Sequence, residues 1–487
     1  MILITIDTKS RHPLFEQIVD QIRSLIESGG LKEGEVLPST RKLAENVGVN
    51  RATVYRAYEE LWAAGYIEAV AGGYSRVRKR IDPVKQQAEI VVDRFGWEGH
   101  LSDAFMSISQ TRLFSSAQLD GLIDFRSLSP DSDLLPVEDF RRSMNAVIQT
   151  EGASVLQYGD PAGYLPLREL LARQMKQHGI HTSADEIVLT NGMQNGIELV
   201  CRLLTNPGDC VFVESPTYAS ALTMMNYLGL KVQGISMTSA SMNLDELEAS
   251  LRKQKPKLIY SMPTFHNPTG ISTSQSHRER LLRICERYGV PLVEDGFEEE
   301  MKYFGKAVLP VKSMDRKQQL IYLGTFSKIL FPGLRIGWIV APVTLAEKLR
   351  RMKEVTDLSG SPLTQAAVFR FCDQGFYELH KKRIHRAYRK RMQLALAACR
   401  EFLPQQQVQF TRPEGGYLIW LTTCFPLERE AELNQKLIGT GVAVSPGSRF
   451  FAADPEKAHF RLSIAHRKED EIVEGIKRIA EVIQNFN

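Results

Sequence analysis

Between residues 186 and 342 six short apolar runs recur: EIVLTN, CVFVESP, KLIYSMP, VPLVEDG, QLIYLGT and RIGWIVAP. Helical spacing fills stretches between them, at 193–205, 217–228 and 275–288. Strands that alternate with helices at this spacing have few packed solutions. The pattern predicts a mostly parallel sheet covered by helices on both faces. Ligands of such sheets collect where the strands end, at their carboxyl edge. The turns that follow the runs are therefore the first places to look for chemistry.

The turn TNGMQNG puts Gly192, Met193 and Gln194 at the start of a helix, where free amides and the helix dipole suit a phosphate. ESPTY ends in Tyr218, an aromatic able to stack on a planar ring. PTFHNPTG presents Asn267, a possible donor to a phenolic oxygen, with His266 beside it as a turn residue. VEDGF closes a strand with Asp295, and a carboxylate beside a ring nitrogen favours its protonated form. Finally, GTFSKILFPGLRIGW sets Lys328 between a polar turn and an apolar run, seven residues before Arg335. Desolvation lowers a lysine pKa toward the range where the neutral amine is a nucleophile able to form a Schiff base. Taken singly, each has a plain structural alternative: a bare loop, a tyrosine packed on the core, a Pro-Asn-Gly turn, a buried acid at a strand end.

The first eighty residues follow another pattern. Leu14, Ile18, Ile22, Leu25 and Ile26 lie at helical spacing and Gly29-Gly30 stops that helix. Ser39 can cap a short second helix that buries Leu43 and Ala44 and turns at Gly48. Asn50 can cap a third, with Val54, Ala57, Tyr58, Leu61 and Trp62 on one face and Arg51, Thr53, Tyr55 and Arg56 on the other. Two short strands joined at Gly72-Gly73 complete the order of a winged helix-turn-helix, whose third helix reads base edges in the major groove. Twelve basic and ten acidic side chains fall within residues 1–80, so position rather than number matters. Arg41, Lys42, Arg51 and Arg56 cluster at the turn, Lys42 as a phosphate contact, while Arg76, Arg78, Lys79 and Arg80 follow the wing. A small helical domain with a solvated basic face is the plainer reading of this pattern.

With 487 residues and 43% hydrophobic content there is material for two or three domains. From about 81 to 120 periodicity fades, as expected of a linker. The net charge of +4 announces no polyelectrolyte partner, so any nucleic-acid signal is local. Six cysteines without CxxC pairs argue against a zinc site or a disulfide framework and fit a reducing cytoplasm. Neither a signal-peptide pattern nor an apolar run of membrane-spanning length is present, so no membrane association is expected.

PLFEQIVDQI and the segment LKEGEVLPSTRKLAENVGVNRATVYRAYEELWAAGYI resemble the DNA-binding domain of GntR-family regulators. The resemblance implies contacts to double-stranded operator DNA from Arg41, Arg51, Thr53 and Tyr55, with Ala71 and Gly72 at the wing tip. Tyr55 stands where the family has a second arginine. Beyond the linker, the order phosphate turn, stacking aromatic, Asn267, Asp295, Lys328 and Arg335 resembles fold-type I aminotransferases, which hold pyridoxal 5'-phosphate (PLP). That resemblance implies Lys328 as the Schiff-base lysine, Arg335, Thr325 and Ser327 as phosphate ligands, and Asp295 as partner of the pyridine nitrogen. QYGDPAGYLPLRELLA implies that Tyr158 reaches the phosphate of a neighbouring subunit, hence a homodimer. HFRLSIA implies that Arg461 binds a substrate carboxylate. Where many members carry a tyrosine two residues after the aspartate, this chain has Phe297.

Together the two halves resemble MocR-type regulators. The expectation is an α/β chain: an N-terminal winged helix-turn-helix domain at 1–80, a linker at 81–120, and a fold-type I PLP-dependent aminotransferase-like domain at 121–487. Within the last, a large domain spans about 150–345 and a small one mostly about 346–487. Its expected function is a PLP-dependent transcriptional regulator that senses an amino acid or amine through external aldimine formation. The alternative is an active aminotransferase with an appended DNA-binding domain. A PLP-free scaffold sits poorly with the intact Asn267, Asp295, Lys328 and Arg335 set.

Overall fold

A computed structural model describes residues 3–8, 10, 12–70, 74–78, 96–109, 121–297 and 299–486. They form two compact units, Met1–His100 and Leu101–Asn487. In the first, α1 (Leu14–Glu27), α2 (Thr40–Val47) and α3 (Arg51–Ala63) precede an antiparallel hairpin of β1 (Ile67–Val70) and β2 (Tyr74–Val77). Both expected caps form: Ser39 accepts from the Lys42 amide at 3.3 Å and Asn50 from the Ala52 amide at 2.9 Å. Gly48 ends α2 at φ +70°, a conformation that a side chain would strain. The core gathers Ile18 and Ile22 of α1, Leu43 of α2, and Val54, Ala57, Tyr58 and Leu61 of α3. Leu14, Leu25, Ile26 and Trp62 are only half-buried, so the apolar stripes are narrower than their spacing suggests. The wing-tip residues Ala71 and Gly72, and the basic Lys79 and Arg80, lie outside the described residues.

The second unit begins with α4 (Asp103–Ser109), inside the stretch read as linker, and β3 (Ile123–Asp124). After α5 (Val137–Glu151) and α6 (Leu165–Gln177) comes a seven-stranded sheet. Its strands are β4 (Ile187–Thr190), β5 (Cys210–Ser215), β6 (Lys231–Ser236), β7 (Leu258–Ser261), β8 (Leu292–Asp295), β9 (Leu320–Thr325) and β10 (Gly337–Val340), in the order β4-β10-β9-β8-β7-β5-β6. Neighbours run parallel except at β10, which is antiparallel to both β4 and β9. The two-residue period of a strand divides its side chains between two cores: Phe212 and Ile259 join one, Val211, Val213 and Tyr260 the other. Strand β6 escaped the sequence reading because KVQGIS sits at the sheet edge, mostly half-exposed, without a continuous apolar run. The C-terminal part builds a four-stranded sheet flanked by helices Phe376–Phe402 and Glu469–Gln484. β3 pairs with Val442–Ala443, so the start of the unit is tied to its end. Among the described residues no helix is long and apolar enough to cross a membrane, and no cluster of His, Cys, Asp or Glu could hold a metal.

Candidate functional site

The turns after β4, β5, β7, β8 and β9 converge on one cavity of about 490 Å³ at the carboxyl edge of the sheet. Met193, Gln194, Tyr218, Asn267, Asp295, Thr325, Ser327, Lys328 and Arg335 all line it. Gly192 sits at the mouth of α7 (Met193–Leu204) with φ +85°. A Cβ at Gly192 would stand 2.6 Å from Arg335 Nη2, so glycine alone lets the guanidinium lie against this helix start. Arg335 adopts φ +53° itself and donates to the Asn191 carbonyl at 3.0 Å. Thr325 and Ser327 hydroxyls lie 3.0 Å apart, and the Ser327 amide donates to Thr325 Oγ1 at 3.1 Å. Hydroxyls, a guanidinium and a helix N-terminus at one place form a cradle for an anion.

Asp295 ends β8 fully buried, its carboxylate accepting from the Tyr260 hydroxyl at 2.5 Å and the Phe297 amide at 3.1 Å. Burial pushes its pKa up to about 6, against those two hydrogen bonds and the Lys328 charge. Tyr260 was not foreseen. In β7 it stands opposite Val293 of β8, so it shares a sheet face with Asp295 two residues on, within diagonal reach of a long side chain. Only the strand pairing reveals this.

The flanks of Lys328 predict a buried lysine. It is half-buried instead, because its side chain faces the cavity, with Nζ 3.5 Å from the Leu128 carbonyl. The Asn267 loop is pinned by Arg278, another residue the sequence did not flag. From the helix at Gln275–Tyr288, Arg278 donates to the Pro263 carbonyl and Thr264 Oγ1 at 2.9 Å each, and to Thr273 Oγ1 at 3.1 Å. His266, read as a turn residue, lies in that loop fully buried, 3.3 Å from Glu214. Arg461 is wholly buried, donating to Asn267 Oδ1 at 3.1 Å, the Arg126 carbonyl at 2.8 Å and Ser445 Oγ at 3.2 Å. It reaches the site through Asn267 rather than lining the cavity. Tyr158 is 83% exposed and away from the cavity of its own chain. Phe297 lines the cavity with a phenyl ring. So do Ile108, Leu128, Thr223, Met224, Tyr227 and Met262, which carry no motif and were missed.

The first unit presents Arg41 and Lys42 of α2 and Arg51 and Tyr55 of α3 to solvent, with Thr53 half-buried. Arg41 pairs with Glu45 at 3.2 Å, an exposed contact worth little and easily exchanged for phosphate. Arg51 Nε reaches Thr40 Oγ1 at 3.5 Å, and Tyr55 packs edge-on against Trp62. Arg56, grouped with the basic turn, lies 3.8 Å over the Phe15 ring and so serves packing onto α1.

Residues 126–479 match the family Aminotransferase class I and II, and residues 14–77 match Bacterial regulatory proteins, gntR family. Aromatic-amino-acid aminotransferase 1 of Thermococcus litoralis is 35% identical over 80% of this chain and 95% of its own. An uncharacterized HTH-type transcriptional regulator of Escherichia coli, YdcR, is 30% identical over 96% of this chain and 99% of its own. Kynurenine aminotransferase of Pyrococcus horikoshii, solved with PMP, superposes with a TM-score of 0.75 at 33% identity, covering 80% of this chain and 98% of that one. The two enzymes cover 80% of this chain and the regulator nearly all of it. The chain belongs to the aminotransferase class I and II family and, with its gntR-family DNA-binding domain, is a regulator of the MocR type.

Proposed function

We propose that this regulator uses PLP to sense an amino acid or amine and reports its presence through operator binding. The observation that carries the proposal is the single cavity lined by nine of the side chains expected to hold that cofactor, in a chain that also has a DNA reader. The residues fit the group: an anion cradle at Gly192, Thr325, Ser327 and Arg335, a buried carboxylate for a basic ring nitrogen, and an amine between. When bound, PLP supplies an aldehyde that captures primary amines reversibly. Lys328 is the amine that holds it in the resting state. Asp295, fixed by Tyr260, would keep the ring nitrogen protonated, Tyr218 would pack on the ring, and Asn267, held by Arg461, would donate to the phenolic oxygen. Arg461 takes the carboxylate of an amino-acid effector after exchanging its present partners. Tyr158 serves the site of a partner copy in a homodimer, acting in the cytoplasm where the operator lies.

Phe297 favours sensing over turnover, since its phenyl ring gives the cofactor no hydroxyl. The enzyme alternative draws on the aminotransferase relatives. Two measurements separate them. Operator affinity should change roughly 5- to 150-fold with the right amino compound, and operator should change effector affinity by the same factor. If instead a 2-oxo acid drives rapid repeated turnover while operator affinity stays constant, the enzyme reading replaces the sensor.

A further inference from the structure

Helix α4 lies in sequence between the DNA reader and the sheet, and it packs along α8 (Ala219–Tyr227), with Ser107 Oγ 3.4 Å from the Asn226 carbonyl. Ile108 of α4 lines the cavity together with Thr223, Met224 and Tyr227, which share one face of α8. Leu128 and Met262 continue this apolar wall. The Leu128 carbonyl is also the group that Lys328 Nζ faces at 3.5 Å, so the wall begins beside the amine that an effector must displace. The charged side chains lining the cavity are Asp295, Lys328 and Arg335, each already committed to the cofactor. A charged effector side chain would lose its water there and, among the described residues, meet hydroxyls such as those of Ser220 and Thr223 but no opposite charge, whereas an apolar one gains from burial.

Resting on the sensor reading above, we infer that the effector is an amino compound with an uncharged, apolar side chain, and that Ile108 of the connecting segment is part of the wall that selects it. The occupant then touches α4, which lies in sequence between the reader and the sheet.

Full-length protein loaded with PLP should be titrated with glycine, leucine, methionine, phenylalanine, glutamate and lysine. Cofactor absorbance reports binding, and amide hydrogen exchange of residues 103–109 reports contact with α4. At least one of the three apolar amino acids should bind at least roughly tenfold more tightly than glycine, glutamate or lysine and slow exchange in α4. Ile108→Arg should move preference toward glutamate. Ile108→Ala, which only trims the wall, should narrow the gap between the preferred amino acid and glycine by roughly fourfold. Tightest binding of glutamate or lysine to the unaltered chain, or preferences that neither variant moves, would overturn the inference and leave the sensor reading standing. Should none of the six shift absorbance, the inference is overturned; should phenethylamine and isoamylamine as well leave both absorbance and operator affinity unchanged, the sensor reading falls with it.

Discussion

Replacing Asp295 by asparagine should stabilise the cofactor-free protein at neutral pH while weakening its hold on PLP. The carboxyl is fully buried, and burial raises its pKa from 3.8 to about 6. Between those values the folded chain binds more protons than the unfolded one, so the stability from this group is full below pH 4 and is lost as pH rises through 6. A shift of about two units, at about 1.4 kcal/mol each, makes the loss on the order of 3 kcal/mol. Asparagine titrates nowhere in this range and can still accept from the Phe297 amide and donate to the Tyr260 oxygen. Asp295→Asn should therefore match the parent near pH 4 and exceed it by about 3 kcal/mol at pH 7. Urea unfolding of the cofactor-free protein, followed by the buried Trp338 and Trp420, measures that difference. Titration with PLP should show the opposite sign, because a charge-assisted hydrogen bond of about 1.5–3 kcal/mol is gone and affinity falls roughly 10- to 150-fold. A variant with the same pH slope as its parent, or one that binds PLP equally well, would refute the reasoning.

Four further outcomes test the remaining parts. Borohydride should leave the cofactor attached to the peptide containing Lys328; label on another lysine excludes that role. Gly192→Ala places a Cβ 2.6 Å from Arg335 Nη2 on a backbone at φ +85° and ψ 173°, where a non-glycine residue costs roughly 1–3 kcal/mol, and should lower PLP affinity roughly 5- to 150-fold. Phe297→Tyr adds a donor in the cavity and should lower the pKa seen in a spectroscopic titration of the bound cofactor, since a hydrogen bond to an ionised oxygen favours the ionised form. Arg51→Ala should cost about 1–3 kcal/mol on operator DNA and little on scrambled DNA, while loss of the Lys42 charge should weaken both and flatten the salt dependence.

What could be read from the chain alone was local. Caps at Ser39 and Asn50, the left-handed turn at Gly48 and six of the seven central strands depend on residues within a few positions of one another, so their signals survive in one dimension. That the side chains expected to hold the cofactor meet in one cavity was legible for a related reason. Most members follow the end of a parallel strand and Arg335 precedes the antiparallel β10, so all fall at the one edge of the sheet whatever lies between. Other partners meet only through contacts distant in sequence. Tyr260 finds Asp295 across a strand pair, Arg278 pins the Asn267 loop from the following helix, and Ile108 enters the cavity from a stretch without clear periodicity. A side chain's own sequence carries no record of which neighbour, fifteen or thirty-five residues away, it will meet, because packing and strand order choose that neighbour only as the chain closes on itself. The half-exposed Lys328 makes the same point: its apolar flanks announced burial, and the cavity that opens around it decided otherwise.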